Sequence, residues 1–215
     1  MKQRSLPRSK AFRIGVTGHR PNRLPQEHYE RVRRQLSRTM ATIERANPGR
    51  HYMLLTGLAE GADRLAAFVA LSHQWSLHAV LAFHRTRFEE DFFDDYSIGE
   101  FRALLEASSE VEEPDRTWHE GREAEEGYAA VGSQLLRTCN ILVAIWDGEP
   151  SRGKGGSVEI IQQARSNGIP VIWIHASKTQ SPRQLPAEKP LRSTRAKIAS
   201  RSGSRPSHPP KSRRN

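Results

Sequence analysis

The chain has 215 residues, of which 34 are lysine or arginine and 24 are aspartate or glutamate, and its net charge is +10. It contains one cysteine, Cys139, which excludes an intramolecular disulfide and favours a soluble, cytoplasmic protein. Its apolar stretches are all shorter than the ~20 residues that a membrane helix needs. We therefore expect no membrane partner.

The positive charge is concentrated at the two ends of the chain. Residues 177–215 contain eleven basic residues and one acidic residue, and residues 1–10 contain four basic residues, so that residues 11–176 carry a net charge of −4. Serine, proline, arginine and lysine dominate after Ile174, a composition typical of disorder. We predict a basic N-terminal extension (1–10), one folded domain (11–176) and a basic disordered tail (177–215).

Five apolar runs, rich in β-branched residues, predict the strands of the domain. The runs are Phe12–Thr17, Tyr52–Thr56, Leu77–Phe83, Ile141–Trp146 and Pro170–Ile174. Apolar residues at three- and four-residue spacing predict helices over 26–46, 61–73, 97–107, a segment ending near Thr138, and a segment ending at Asn167-Gly168. We also expect a short edge strand near Val111. The alternation predicts a three-layer, Rossmann-like α/β domain with a mainly parallel sheet of five to six strands.

The loops after the first two predicted strands have the composition of ligand-binding loops. Ligands of parallel α/β sheets bind beyond the carboxyl ends of the strands. The first loop contains a glycine that permits a tight turn and two side chains suited to an anion. The second loop contains small residues that permit close approach to a ligand, and Asp63, which could cap a helix or accept a ribose hydroxyl. The candidate binding residues are Thr17, Gly18, His19, Arg20, Gly57, Glu60, Gly61 and Asp63.

The loop after the fourth predicted strand is rich in glycine and leads directly into a helix. Backbone N–H groups at such a junction form an anion-binding concavity, and Lys154 adds a positive charge. The spacing is neither that of a P-loop nor that of the dinucleotide fingerprint. The candidate binding residues here are Asp147, Gly153, Lys154, Gly155, Gly156 and Ser157.

Three segments, Ile14–Arg20, Thr56–Asp63 and Val143–Glu159, resemble loops of the SLOG superfamily. This Rossmann-like group includes the Lonely Guy phosphoribohydrolases and the DNA-processing protein A fold, and the resemblance covers about residues 11–176. It implies that the second and third of these loops hold the phosphate and ribose of a nucleotide. In the Lonely Guy enzymes a glutamate follows the loop threonine by three positions. Ser157 matches that threonine here, but Ile160 occupies the glutamate position and Glu159 lies one residue earlier.

Three functions remain open from the sequence. The first is a sensor or regulatory module that binds a nucleotide-derived ligand and needs neither a metal nor another cofactor. The second is an N-glycosidase or transferase acting on nucleotides, with Glu60, Asp63, Asp147 or Glu159 as the catalytic carboxylate. The third is nucleic-acid binding through the basic tail. A homo-oligomer also stays open, because the predicted helix face of Tyr128, Val131 and Leu135 could pack on the sheet or on a second subunit.

Overall fold

A computed structural model describes residues 11–114, 122–150 and 156–188. The predicted extension 1–10, the tail beyond residue 188, and Gly153, Lys154 and Gly155 lie outside these ranges. Within them the chain alternates between strands and helices. The strands are β1 (Phe12–Gly18), β2 (Tyr52–Thr56), β3 (Ser76–Val80), β4 (Glu110–Glu112), β5 (Ile141–Trp146), β6 (Val171–His175) and β7 (Arg183–Leu185). The helices are α1 (Tyr29–Ala46), α2 (Ala62–Ser72), α3 (Arg85–Phe88), α4 (Asp95–Glu106), α5 (Arg122–Thr138) and α6 (Ser157–Ser166).

The strands form one sheet in the order β4-β3-β2-β1-β5-β6-β7, in which β7 is antiparallel and every other pair is parallel. Residues in the five inner strands are almost continuously buried, as expected for strands covered on both faces. Helices α1 and α2 pack together on one face of the sheet, with α4 beside α2, and α5 packs with α6 on the other. The predicted three-layer, Rossmann-like fold is confirmed.

The order in which the chain adds strands to the sheet reverses once. From β1 the chain proceeds outward through β2 and β3 to β4, and it then returns across the sheet to β5, which pairs with the opposite side of β1. The two halves therefore diverge between β1 and β5. Parallel α/β sheets open a crevice at such a point, beyond the carboxyl ends of the strands.

The sheet has seven strands, whereas we predicted five to six. The last strand lies beyond the predicted domain boundary. Strand β7 lies within the predicted tail and pairs with β6 through Trp173 and Arg183. Its three residues, Arg183, Gln184 and Leu185, are largely exposed. A short, polar edge strand has no apolar periodicity, so the composition of residues 177–188 resembled that of a disordered segment.

Helix α1 shows how the apolar pattern fixes the packing. Val32, Leu36, Met40 and Ile43 recur at three- and four-residue spacing and are all buried. The helix ends at Ala46, and the amide side chain of the following Asn47 donates to the Ile43 carbonyl at 2.9 Å. None of the described helices is long and apolar enough to cross a lipid bilayer.

Candidate functional site

A cavity of about 400 Å³ lies at the carboxyl ends of β1 and β2, on the side of the sheet covered by α5 and α6. The β1 loop and the start of α6 line it where β1 and β5 diverge. Its floor is apolar. The lining residues include Thr17, Gly18, His19, Arg20, Gly57, Asp63, Gly156 and Ser157, all of which the sequence predicted. The structure thus brings together residues from three loops that are far apart along the chain.

Gly18 ends β1 and is packed too tightly to carry a side chain. A Cβ at this position would lie 2.4 Å from the Ala62 Cβ and 2.7 Å from the Ile145 carbonyl oxygen. The glycine therefore lets β1, β5 and the start of α2 converge. Its primary role is packing of the strand ends, which places the adjacent His19 and Arg20 at the cavity.

Gly61 performs a similar role in the second loop. It adopts φ +88° and ψ −119°, a conformation that side chains disfavour, and a Cβ would lie 2.6 Å from the His19 carbonyl oxygen. The same carbonyl accepts a hydrogen bond from the Ala62 N–H at 3.0 Å. The β1 loop and the β2 loop are thus fastened to each other at the cavity rim.

The start of α6 forms the opposite wall of the cavity. Gly156 is the N-cap residue and provides no side chain to the helix N–H groups. The Ser157 hydroxyl donates to the Gly18 carbonyl at 2.9 Å, which ties the start of the helix to the end of β1. Ser157 therefore has a structural hydrogen bond as well as a place in the cavity wall.

Asp147, predicted to bind ligand or act as a catalytic carboxylate, connects the β1 and β5 loops. Arg23 donates to both of its carboxylate oxygens, through Nε at 2.9 Å and Nη2 at 2.7 Å, and His19 Nε2 lies 2.9 Å from Oδ1. Burial disfavours the ionised carboxylate, but these contacts and the Glu149 N–H outweigh it and lower the pKa of Asp147 to about 2. Asp147 does not line the cavity, and its partners indicate a structural role.

The substitution Asp147→Asn is expected to destabilise the protein at neutral pH. A carboxyl whose pKa is lower in the folded state stabilises the fold above its unfolded pKa of about 4, and this contribution is lost as the pH falls toward 2. The expected loss is about 1 kcal/mol, because the carboxylate is 18% exposed and partly screened by solvent. Urea unfolding at several pH values would measure it. A difference from wild type that was equally large at pH 7 and near pH 2 would contradict this account.

Asp63 is the one carboxylate of the four catalytic candidates that lines the cavity. Burial raises the pKa of Asp63 to about 7, although the N–H groups of Ala59 and Gly57 and the charge of Arg20 act in the opposite direction. The carboxyl therefore exchanges its proton near neutral pH. A group with this property can bind a hydroxyl, respond to pH, or transfer a proton.

Glu60 and Glu159 lie away from this cavity. Glu60 accepts hydrogen bonds from the Ser97 hydroxyl and from the Phe93 N–H, and so it is directed toward α4. Glu159 is half-buried in the first turn of α6. Ser157 and Ile160, three residues apart and therefore on nearly the same face of α6, line the cavity, whereas Glu159 does not.

Tyr128 of α5 is a site residue that the sequence did not single out. Its hydroxyl accepts a hydrogen bond from Arg20 Nη2 and donates one to Asp91 Oδ2 at 2.8 Å. The pKa of Tyr128 is raised, chiefly by burial. The hydroxyl fixes the Arg20 guanidinium at the cavity. An amphipathic helix face carries no information about such a contact, which depends on how α5 crosses the β1 loop.

Comparison with solved structures identifies similar folds. DNA processing protein A from Streptococcus pneumoniae has a TM-score of 0.51 and is 15% identical, over 76% of this chain and 50% of its own. TM1055 has a TM-score of 0.45 and 17% identity over 74% of this chain and 71% of its own. DNA processing protein A from Helicobacter pylori, which binds single-stranded DNA, has a TM-score of 0.48 and 14% identity over 75% of this chain and 64% of its own.

The chain spans about half the length of the Streptococcus protein. No protein-family model matches the sequence, and no curated protein does. At 15% identity the likeness shows the fold alone. The fold of the described residues is similar to that of the matched half of DNA processing protein A from Streptococcus pneumoniae.

Proposed function

We propose that the cavity binds a nucleotide or a nucleotide-derived phosphate ligand, and that the protein acts as a sensor or regulatory module for it. The observation that carries the proposal is the meeting of Arg20, Asp63 and the start of α6 around one cavity at the divergence of β1 and β5. Its volume, about 400 Å³, lies within the range of small-molecule sites.

The phosphate is expected at the start of α6. Ser157 and Val158 line the cavity there, and the first N–H groups of a helix have no acceptor within it and carry the positive end of its dipole. Arg20 adds a guanidinium group held in place by Tyr128. Together these groups would neutralise an anion without a metal ion.

The uncharged part of the ligand is expected deeper in the cavity. Val16, Ala82, Val131, Leu135 and Ile160 provide an apolar floor that suits the faces of a base or a sugar. Asp63 lies beside this floor and could accept hydrogen bonds from ribose hydroxyls. An anion at one end and hydroxyl groups near an apolar surface at the other are the features of a nucleotide.

A thermal-shift screen of the full chain tests the proposal. The panel contains AMP, ADP, ATP, NAD, ADP-ribose, cyclic nucleotides and ribose 5-phosphate. A ligand at 100 times its Kd stabilises a protein by about 2.7 kcal/mol. For a domain of this size we expect the Tm to rise by about 5–10 °C. No rise with any compound would contradict nucleotide binding.

Two matched variants test whether the phosphate lies at the start of α6. Gly156→Asp places a carboxylate at the N-cap of α6, where it would satisfy the helix N–H groups and repel an anion. Asn167→Asp makes the same change in charge at the C-cap of the same helix. The Tm rise should be lost in the first variant and kept in the second. An equal response of both variants would argue against a phosphate at α6.

A second candidate function is cleavage or transfer of an N-glycosidic bond. The position of Asp63 in the cavity and its pKa of about 7 favour it, because an acid or base catalyst works best when its pKa is near the working pH. Release of free base or ribose 5-phosphate would demonstrate the activity. Asp63→Asn should abolish the release, whereas Glu159→Gln should not, because Glu159 does not line the cavity.

A further inference from the structure

A second cavity, of about 620 Å³, adjoins the first. It lies between α2, α4 and the segment before α1, and it shares Arg20 and Asn22 with the first cavity. A ligand could therefore extend from one cavity into the other past the Arg20 side chain.

Two aromatic side chains at the start of α4 line this second cavity while remaining largely in solvent. Phe93 is 92% exposed and Tyr96 is 76% exposed. Phe68 of α2, which is 40% exposed, lines the same cavity. Large aromatic residues grouped in this way offer flat apolar faces to a planar ligand group and are typical of binding sites.

The charged groups of the second cavity argue against a phosphate there. Glu60, Asp94 and Glu100 line it, against Arg20 and Arg64. Arg64 is already in an ion pair with Glu100 at 3.7 Å, and its guanidinium lies over the Phe92 ring at 4.2 Å. The excess of carboxylates favours an uncharged group that donates hydrogen bonds through N–H or hydroxyl groups.

One buried polar group in this wall also lacks a partner. Arg64 is 3% exposed; it donates through Nε to the Leu58 carbonyl and through Nη1 to Ser97, but Nη2 has no hydrogen-bond partner in the described part of the chain. Buried donors are rarely left in this state without a functional reason. Because Nη2 is enclosed by protein, a ligand in the second cavity would meet the charge of Arg64 without a hydrogen bond to Nη2.

We infer that the second cavity binds the second nucleoside of a ligand in which two nucleosides are joined through phosphate. This inference rests on the proposed function. One nucleoside occupies the first cavity, and the linking phosphates lie at Arg20 and the start of α6. The second base stacks on Phe93 and Tyr96, where its N–H groups and ribose hydroxyls meet the carboxylates. The same carboxylates repel the further phosphates of a nucleic-acid strand.

Calorimetry with the full chain, comparing ADP with diadenosine diphosphate, tests the inference. Both compounds carry a pyrophosphate, but only the second carries another nucleoside. Stacking of one base on an aromatic side chain raises the affinity for a ligand roughly 10-fold. We expect diadenosine diphosphate to bind at least ~10-fold more tightly than ADP.

The double variant Phe93→Ser/Tyr96→Ser should remove this advantage and leave the affinity for ADP unchanged. Both side chains are mostly in solvent, so the fold should tolerate the change. Val111→Ser, at an exposed position on the edge strand β4, is the control and should change neither affinity.

Three outcomes would overturn the inference. Binding of ADP with no gain for diadenosine diphosphate would overturn it and leave the proposed function standing. Binding of neither compound would overturn it, and the thermal-shift panel would then decide the proposed function separately. Tighter binding of an oligothymidylate than of diadenosine diphosphate, if reduced by the double variant, would assign the aromatic pair to a nucleic-acid strand instead.

Discussion

Replacing Gly61 with alanine is expected to lower the free energy of unfolding by about 3–4 kcal/mol. The new methyl group would have to adopt φ +88° and would lie 2.6 Å from the His19 carbonyl oxygen, a backbone atom that cannot move without disturbing β1. Backbone strain of this kind costs about 1–3 kcal/mol, and overpacking costs a similar amount. The loss is a large part of the ~5–15 kcal/mol that stabilises a typical domain. Urea unfolding of wild type and variant would measure it.

Gly49→Ala is the matched control for this prediction. Gly49 also has a positive φ, +72°, but no atom lies within 4 Å of the position of its Cβ. The Gly49→Ala variant should be destabilised only by the cost of the left-handed backbone conformation, about 1–2 kcal/mol. The difference between the two variants measures how tightly the β1 and β2 loops pack. If both variants lost the same stability, the packing of Gly61 against His19 would not matter.

The strands and helices of the domain could be predicted because their periodicity reflects burial. The run Ile141–Trp146 is apolar throughout because β5 is covered on both faces, and its predicted bounds agree with the structure. The edge strand expected near Val111 is confirmed as β4, although its three residues are exposed and no pattern of burial indicated it. Strand β7 was not predicted, because three largely exposed residues at an edge leave no apolar pattern.

The candidate site was predicted less completely than the fold. Glycines mark where parts of the chain approach closely, but they do not say what approaches: Gly18 faces β5 and the start of α2, and Gly61 faces the β1 loop. Carboxylates mark possible chemistry, but only packing separates Asp63, which lines the cavity, from Asp147, which is paired with Arg23. Tyr128 lies more than 100 residues from Arg20 in the sequence, and no local pattern records their contact.

The contribution of Asp63 to the stability of the protein is expected to fall as the pH rises from about 4 to 7. Burial raises the pKa of this carboxyl from 3.8 to about 7. Between these values the folded protein keeps a proton that the unfolded chain releases, so each step upward in pH favours unfolding. A pKa shift of about three units destabilises the folded protein by roughly 4 kcal/mol above pH 7 and does not affect its stability below pH 4.

Asp63→Asn should remove this dependence, because an amide does not titrate. The stability of the variant relative to wild type should therefore rise by about 2–4 kcal/mol between pH 4 and pH 8, measured by urea unfolding. The contribution of Asp147 does not interfere, since its window lies between pH 4 and pH 2. A difference independent of pH would show that Asp63 ionises normally.

If the proposed function is correct, the same proton governs ligand binding. An anionic nucleotide should bind wild type more weakly above pH 7, where Asp63 is charged. Its affinity for Asp63→Asn should show no such change.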